Sequence, residues 1–395
     1  MKTIGDQQLV KRINRSVLLR LLRRRSGLSR AQLAQESGLT KSTVSLLVRE
    51  LIEEGWMNED DVPAAQGLGR PSIPLRLDGL RRGMIGVEVA VEALRVVGVS
   101  ITGEVLCSQE EPLAGTDPEA VCQQAARLVA QTLKQLSKQG VQLLGVGVGL
   151  PGAFDEASGM LRFAPNLGWR NVDFVPLITQ ALGRAGVPPL AVHVQNEADT
   201  AALSEYEFSE GDAQDALIFV TCGAGVGAGI VLNDRLFTGA QGMAGEIGHS
   251  ILQIDGLPCS CGRRGCAETF FGARALARLA DPTQGGQALG VVLQNLWTTF
   301  NPSALVVGGP SCERHPGILQ VAQATLQAYA NSAGVPAPLV RAARYGLLAS
   351  AVGAAALVLH HELRPMHARA LPGATRAIEA PEASDIPAID SDLIA

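Results

Sequence analysis

The chain has 395 residues and a mass of 41.3 kDa, which is too long for one domain of ordinary size and predicts two or three. Apolar residues make up 47% of the sequence, so we expect a sizeable core. No apolar run follows the first methionine, which predicts no signal peptide, no membrane span and a cytoplasmic location. Disulfides are rare in that compartment, so clustered cysteines among the seven indicate metal ligands.

The charge is unevenly distributed along the chain. Residues 1–82 hold 15 of the 33 basic and 9 of the 38 acidic residues, a net charge of +6, which leaves −11 for the remainder. A basic head on an acidic body predicts that the head binds a polyanion and that the body does not. Basic helices are also common on protein surfaces, so charge alone leaves the partner open.

Local signals in the head follow the order of a helix-turn-helix. Apolar residues at helical spacing predict a first helix that ends near Gly27, and Ser29 with Gln32 forms a capping-box pattern at the start of a second helix. Gly38 ends that helix, and Thr40 caps a third helix whose apolar residues share one face. A helix, a glycine turn and a further helix are typical of DNA-binding domains.

The sequence after Trp56 predicts the wing of a winged helix. The stretch "GLGRPSIPLRL" (67–77) is expected to form two strands that flank a mobile, basic tip. In such domains the third helix contacts bases in the major groove, and an arginine at the wing tip enters the minor groove. The alternative is a helical protein-interaction module with a basic face. The residues predicted to bind DNA are Arg30, Thr40, Lys41, Ser42, Thr43, Ser45 and Arg70.

From residue 83 onwards strand and helix patterns alternate, which predicts an α/β body. Strand hairpins at 84–106 and 215–239 predict two related lobes with a cleft between them. We also expect a helix capped by Asp117 and another helix at 271–279. The predicted domains are a winged helix-turn-helix at 1–80, a first lobe at 83–200, a second lobe at 201–363 and a disordered tail rich in Pro, Ala and acidic residues at 364–395.

A glycine-rich segment of the second lobe contains one histidine and three cysteines. His249, Cys259, Cys261 and Cys266 offer one imidazole and three thiolates, the ligand set of a closed structural zinc site. Thiolates also suit an iron–sulfur centre, but the single histidine favours zinc. The C-x-C-x4-C spacing is not the commonest in zinc fingers, so four buried side chains without a metal are the alternative.

Carboxylates lie on both sides of this segment. Glu246 precedes His249 by three residues, and Glu268 follows the last cysteine by two. Two carboxylates and an imidazole held by a metal loop suit vicinal hydroxyls, which need paired acceptors and donors. Taken alone, the two acids are better explained as ordinary surface residues. The glycine turn at 221–229 is similarly ambiguous, since glycines cradle phosphates and also close hairpins.

Six motifs occur in an order that resembles the ROK family, which groups sugar-sensing repressors and sugar kinases on a two-lobed, actin-like fold. They are PNLGW (165–169), QNEADTAAL (195–203), TCGAGVGAG (221–229), GMAGEIGH (242–249), CSCGRRGCAE (259–268) and NPSALVVGG (301–309). The resemblance covers about residues 83–361. With the winged head, the whole chain looks like the repressor branch, a sugar-responsive transcriptional regulator.

The resemblance also implies ligands and partners. It makes the four residues named above zinc ligands, and it implies a duplex DNA operator, an aldose or amino-sugar effector and a homodimer or homotetramer. The residues that it implies as contacts to sugar hydroxyls are Asn166, Asn196, Glu197, Glu246, His249 and Glu268.

Three departures from the family's kinase motifs predict a regulator without catalytic residues. Glu88 to Glu92 replace an Asp-x-Gly-Gly-Thr turn, so carboxylates and Cβ atoms stand where phosphate would approach the backbone. Glu197 replaces the catalytic aspartate, and a displacement of about 1 Å costs roughly a hundredfold in rate. Cys222 replaces a usual glycine. The alternatives are an ATP-dependent sugar kinase with an appended DNA-binding module and a zinc-stabilised scaffold that binds only protein.

Overall fold

The computed structural model describes residues 7–60, 73–209 and 216–365. The head consists of three helices and a two-stranded sheet. Its elements are α1 (Gln7–Arg24), α2 (Arg30–Ser37), α3 (Lys41–Glu53), β1 (Met57–Glu59) and β2 (Leu75–Leu77).

The predicted caps are present in the head. The Ser29 side chain accepts a hydrogen bond from the Gln32 main chain and the Gln32 side chain accepts one in return, so the capping box is complete. Gly38 ends α2 in the left-handed conformation, and Thr40 caps α3. β1 and β2 pair in antiparallel fashion as the wing requires. The wing tip, with Arg70, lies outside the described residues.

The first lobe is built on a five-stranded sheet of order β10-β6-β3-β4-β5. β3, β4 and β5 form an antiparallel meander, and β6 and β10 add to β3 in parallel. Asp117 caps the lobe's long helix as predicted. The elements are β3 (Arg82–Val89), β4 (Ala93–Ser100), β5 (Val105–Pro112), α4 (Pro118–Lys138), β6 (Gln142–Leu150), β7 (Ala153–Asp155), β8 (Met160–Ala164), β9 (Trp169–Val172), α5 (Phe174–Arg184) and β10 (Ala191–Asn196).

The second lobe repeats this topology. Its sheet has the order β15-β14-β11-β12-β13, again an antiparallel meander to which two strands add in parallel. The prediction of two related lobes is therefore confirmed. The elements of this lobe, with the flanking helices α6 and α12, are α6 (Glu197–Glu207), β11 (Ala216–Cys222), β12 (Val226–Leu232), β13 (Arg235–Leu236), α7 (Glu268–Phe271), α8 (Ala273–Leu276), α9 (Gln284–Phe300), β14 (Ala304–Gly308), α10 (Pro310–Arg314), α11 (Gly317–Ala333), β15 (Leu339–Ala342) and α12 (Ala349–Glu362).

The predicted helix at 271–279 is wrong in extent. Gly272 has an extended backbone and separates two short helices, α7 and α8. A Cβ atom at this position would lie 2.7 Å from the carbonyl oxygen of Glu268 and 2.9 Å from its Cγ. The long helix in this region is α9, which the apolar pattern did not reveal.

α12 packs on the first sheet, although the sequence analysis placed it in the second lobe. Gly86 and Gly147 lie beneath it, and a Cβ atom at either would overlap the α12 backbone. Arg364, assigned to the disordered tail, is 3% exposed because its guanidinium is paired with Glu207 and Asp234. Residues 366–395 of the predicted tail lie outside the described part of the chain.

α6 and α12 lie side by side between the two sheets. At their closest approach a Cβ atom on Gly353 would overlap the carbonyl oxygen of Thr200, and Thr200 shares a hydrogen bond of 3.1 Å with Ser350. In the described ranges, no helix is both long enough and apolar enough to cross a membrane.

We predict that Gly353→Ala lowers the free energy of unfolding by about 2–4 kcal/mol, because the added methyl group separates α6 from α12. The matched control is Gly183→Ala in α5, where a Cβ atom meets nothing within 4 Å. That variant should gain about 0.4–1 kcal/mol from reduced entropy of the unfolded chain. Urea unfolding of both variants measures the difference, and equal midpoints would contradict the close approach.

Candidate binding pocket and metal centre

Four side chains form a metal-ligand cluster in the second lobe. The ligand atoms of His249, Cys259, Cys261 and Cys266 all lie within 4.8 Å of one another. Cys259 Sγ is 3.6 Å from His249 Nδ1, and Cys261 Sγ is 3.7 Å from Cys266 Sγ. A tetrahedral ion with metal–sulfur bonds of about 2.3 Å holds its sulfurs about 3.8 Å apart. The donor set and its spacing therefore fit a four-coordinate cation.

The loop around the cluster is closed by backbone contacts. Isolated bridges pair Ile251 with Cys266 and Pro258 with Arg264. Gly265 has a positive φ of 69°, and a Cβ atom there would overlap the carbonyl oxygen of Gln253. The glycine is thus required by the close approach of two backbone segments, which brings Cys266 back to His249.

A cavity of about 130 Å³ lies beside the cluster. Its wall includes Thr221 and the glycine turn after β11, which contributes Gly225 and Gly227. The cavity is also lined by all six residues predicted to contact sugar hydroxyls, namely Asn166, Asn196, Glu197, Glu246, His249 and Glu268. The fold therefore brings together six side chains that are up to 102 positions apart in the sequence, from 166 to 268.

Asn196 has a structural role at this cavity. Its Oδ1 accepts a hydrogen bond of 2.7 Å from the main chain of Ala198 and so caps α6, while its Nδ2 donates one of 2.8 Å to the carbonyl oxygen of Gly152. One N–H of the amide stays available for a ligand. Asn196 consequently ties the first residue of α6 to the loop after β6.

Glu246 and Glu268 are positioned by the backbone around them. Gly245 has a φ of 87°, and a Cβ atom there would overlap the carbonyl oxygen of Ala228, so glycine allows Glu246 to approach β12. The Oε2 of Glu268 accepts a hydrogen bond of 3.3 Å from the main chain of Val226. The carboxylate of Glu268 is thus fixed at the start of β12, and Gly245 sets the position of Glu246 beside the same strand. Both residues line the cavity.

The cavity concentrates carboxyl groups. Burial, followed by the charges of Glu88 and Glu246, raises the pKa of Glu197 to about 8. Burial also raises the pKa of Glu246; His249 lowers it, and Glu268 raises it further. Glu197 is therefore mainly protonated at neutral pH and can donate a hydrogen bond, whereas Oε2 of Glu268 accepts one from the main chain of Val226. A neutral ligand with several hydroxyls matches this mixture of donors and acceptors better than an anion does.

Glu88 lies at the end of β3, next to the cleft. It pairs across the β3–β4 ladder with Arg95, whose Nη1 is 3.1 Å from its Oε2. Burial raises the pKa of Glu88, while Arg95 acts in the opposite direction. The guanidinium of Arg95 also pairs with Glu110 at 2.9 Å. The carboxylate at the end of β3 is thus paired within the protein.

Cys222 does not obstruct the second glycine turn as the sequence suggested. It is 1% exposed and belongs to the apolar core of the second lobe, close to Cys312. Cys222 therefore packs in the core beneath β11, and its presence is not an argument against phosphate binding.

The head presents an exposed face on α3. Lys41, Ser42 and Ser45 are exposed as predicted, and Arg49 extends the same face one turn further. Sequence reasoning missed Arg49, although its i+4 spacing from Ser45 and i+8 spacing from Lys41 was a readable signal. Among the described residues Lys41 and Arg49 have no ion-pair partner.

Four of the predicted DNA-binding residues have contacts of their own, among them Ser42, whose hydroxyl lies 2.9 Å from that of Thr40. Arg30 is paired with Glu59 of β1. Thr40 caps α3 through a hydrogen bond of 3.2 Å from the main chain of Thr43. Thr43, expected to face outward, is half-buried, and its hydroxyl lies 2.8 Å from that of Thr40.

The sequence matches the model of the ROK family over residues 84–288, which is more than half of the chain. The chain belongs to the ROK family. Residues 16–61 match the IclR helix-turn-helix domain, which confirms the predicted class of the head.

Comparisons with individual proteins place this ROK protein among regulators and kinases. It is 28% identical over 385 residues to the xylose repressor of Bacillus subtilis, covering 91% of this chain and 98% of the relative. A crystal structure of a ROK family transcriptional regulator, a homologue of the E. coli MLC protein, has a TM-score of 0.70 at 22% identity and covers 90% of this chain and 98% of that chain, which shows the shared fold.

A ROK family glucokinase from Streptomyces griseus, solved with glucose and AMPPNP, shares the body. Its TM-score is 0.58 at 27% identity, and the match covers 70% of this chain and 98% of the glucokinase. Repressors and kinases thus share the two-lobed part, while the winged head extends beyond the kinase match.

We predict that Glu197→Gln stabilises the protein increasingly as pH rises from about 5 to 8. The pKa of Glu197 is raised on folding, so the folded state holds a proton that the unfolded state has lost, and wild-type stability falls across this range. The amide avoids that loss, which should amount to about 1–3 kcal/mol at pH 8. Glu104→Gln, at an exposed site, is the control. Thermal melts across the pH range test this, and a difference that stays constant would contradict it.

Proposed function

We propose that this ROK protein is a sugar-responsive transcriptional repressor without catalytic turnover. One observation carries the proposal: a single chain joins a helix-turn-helix head to a cavity lined by carboxyl, amide and imidazole groups. The relative named as a xylose repressor matches across both parts. The head binds a duplex operator, and the cavity binds an aldose or an amino sugar.

The chemistry of the cavity supports a sugar ligand. Hydroxyl groups donate to Glu246 and Glu268, and they accept from the protonated Glu197 and from the free N–H of Asn196. His249 contributes the ring edge that is not directed at the cysteines. Asn166 completes the wall from the first lobe. A ligand that contacts both lobes favours one lobe arrangement, and this differential affinity is what an effector needs.

The kinase alternative is opposed by two features. Phosphate would meet Ala90 and Val91 where kinases of the family use glycines. Glu88, at the position of their aspartate, is held by Arg95. The carboxyl of Glu197 is mainly protonated at neutral pH, so it is poorly placed to accept the proton of an attacking hydroxyl. The shared fold with the glucokinase keeps phosphoryl transfer as the second candidate.

The DNA contact is proposed for the exposed face of α3, with Lys41, Ser42, Ser45 and the newly identified Arg49. Arg30, Thr40 and Thr43 hold this face in place through their internal contacts. Arg70 is proposed to reach the minor groove from the wing. A homodimer or homotetramer, with a palindromic operator, stays a prediction.

We propose zinc as the ion of the metal-ligand cluster, held by His249, Cys259, Cys261 and Cys266. Three thiolates and one imidazole are typical of structural zinc sites. The ion cross-links the segment that carries Glu246 and His249 to the segment that leads into Glu268. It supplies rigidity to this side of the cavity and takes no part in any reaction.

We predict about one zinc per chain in the purified protein, measured by elemental analysis, because the ligand set is complete. Cys261→Ser should lower the metal content and the stability by about 2 kcal/mol or more, since metal binding energy at such sites is partly folding energy. Cys107→Ser, at a half-buried cysteine outside the cluster, is the control. Zinc-free wild-type protein with an unaltered melting temperature would contradict the assignment.

The proposed function is tested in two steps. A thermal-shift panel of D-xylose, D-glucose and N-acetyl-D-glucosamine identifies a ligand, because ligands that prefer the native state raise its melting temperature. A duplex enriched by the protein from a random pool then serves as the operator. We predict that the sugar changes the affinity for this duplex, and that Lys41→Ala weakens binding by about tenfold at moderate salt. Lys138→Ala, an exposed lysine of the body, should not.

The decisive contrary result is enzymatic. Formation of a phosphosugar from ATP and the bound sugar, abolished in Glu197→Ala, would establish the kinase alternative. A protein that binds the sugar but whose operator affinity never changes would contradict the regulatory assignment.

A further inference from the structure

A buried cluster of charged side chains joins the head to the body. We call it the interdomain ion cluster, and it consists of Arg23, Glu207, Asp234, His360 and Arg364. Arg23 comes from α1 of the head, whereas Glu207 is the last residue of α6 in the body. The side chains of Arg23 and Glu207 are 8% and 0% exposed, so this is an internal contact and not a surface ion pair.

Arg23 caps the C-terminal end of α6. Its Nη1 donates hydrogen bonds of 3.0 Å and 2.6 Å to the carbonyl oxygens of Tyr206 and Glu207, which have no partners within the helix. The same nitrogen lies 2.9 Å from Oε2 of Glu207, outside hydrogen-bond geometry. A guanidinium at this end also complements the negative end of the helix dipole. Arg23 of the head thus contacts α6 through the backbone carbonyls of Tyr206 and Glu207 and through the carboxylate of Glu207.

Glu207 is ionised within the cluster. Burial opposes the charge, but the guanidiniums of Arg23 and Arg364 and a hydrogen bond with His360 outweigh it and hold the pKa of Glu207 well below its usual range. Arg364 Nη1 lies 2.8 Å and His360 Nδ1 2.7 Å from Oε1 of Glu207. Removing one cation therefore leaves the buried charge of Glu207 partly uncompensated, which weakens the contact between the head and α6 strongly.

A second contact from the head reaches the turn between β12 and β13. Arg20 of α1 pairs with Asp234 at 2.5 Å, and Asp234 also accepts hydrogen bonds from Tyr206 and Arg364. The two arginines of α1 thus engage both the end of α6 and the second lobe. The basic residues of α1, expected from charge to face a polyanion, are in part used inside the protein.

The opposite end of α6 lines the cavity. Asn196 and Glu197, at its cap and first position, belong to the cavity wall. The helix spans 11 residues, or about 16 Å, and all residues from Ala198 to Glu207 are buried. Its contact with α12 at Gly353 leaves no room for sliding without loss of packing. A displacement at the cavity end is consequently carried to the head end.

We infer that α6 couples the cavity to the DNA-binding head, with Arg23 and Glu207 as the residues that position the head relative to α6. The inference rests on the proposed function and adds its route of regulation. A sugar that draws Asn196 and Glu197 towards one lobe shifts the end of α6, and the Arg23 contact passes this shift to α1. The coupling free energy is the difference between the free energies of sugar binding to the two positions of the head.

The test compares Arg23→Gln with Arg15→Gln. Arg15 lies on the same helix and is also ion-paired, but its partner, Glu54, is within the head. The quantity measured is the ratio of the dissociation constants for the enriched duplex with and without the sugar that raised the melting temperature. In Arg23→Gln the ratio should fall to within about twofold of one, while the sugar affinity of the DNA-free protein changes less than about threefold. In Arg15→Gln the ratio should equal that of the wild type.

Arg23→Lys keeps the charge but cannot present a guanidinium to two carbonyls, so it should restore part of the ratio. This rescue separates positioning from a general loss of folding, which would lower sugar affinity in Arg23→Gln as well. A wild-type ratio in Arg23→Gln overturns the coupling route and leaves the proposed function intact. If sugar does not change the duplex affinity of the wild type, the proposed function is contradicted, and the coupling route is contradicted with it.

Discussion

The close contact between α6 and α12 is the constraint on which the remaining architecture depends. The two helices lie between two sheets, and they can do so because glycines stand wherever backbones meet: Gly353 against Thr200, and Gly147 and Gly86 beneath α12. Any side chain at these points would push one layer away from the next. The same compact arrangement sets the position of Asn196, and hence of the whole cavity, relative to the head.

On this scaffold the cavity gathers groups that would repel one another if all were ionised. Burial raises the pKa values of Glu197 and Glu246. The charges of Glu88 and Glu246 raise the pKa of Glu197 further, and Glu268 raises that of Glu246. Arg95 pairs with Glu88 on one side of the cavity, and the metal-ligand cluster borders the cavity on the other side through His249. The outcome is a site suited to an uncharged polyol, since the groups present exchange hydrogen bonds and do not attract an anion.

The sequence predicted the features that arise from neighbouring residues. The capping box of Ser29 and Gln32, the cap at Asp117 and the four metal ligands are encoded within a few positions of one another, and the family motifs pointed to the cavity wall. Long-range packing left no such signal. The return of α12 to the first sheet and the pairing of Arg23 with Glu207, 184 positions away, depend on tertiary contacts. The net positive charge of the head was therefore assigned to a polyanion as a whole, without separating the arginines that are used internally.

The internal use of the α1 arginines bears on how the protein finds its operator. Among the described residues of the head, Arg12, Lys41 and Arg49 are the exposed cations without an ion-pair partner, although the head contains many more basic residues. Each phosphate contact that is absent removes about one released counterion from binding to arbitrary DNA. With the DNA contact proposed for α3, a head with few unpaired cations is expected to dwell briefly at random sequences. Base contacts would then set its residence on the genome more than attraction to the phosphate backbone would.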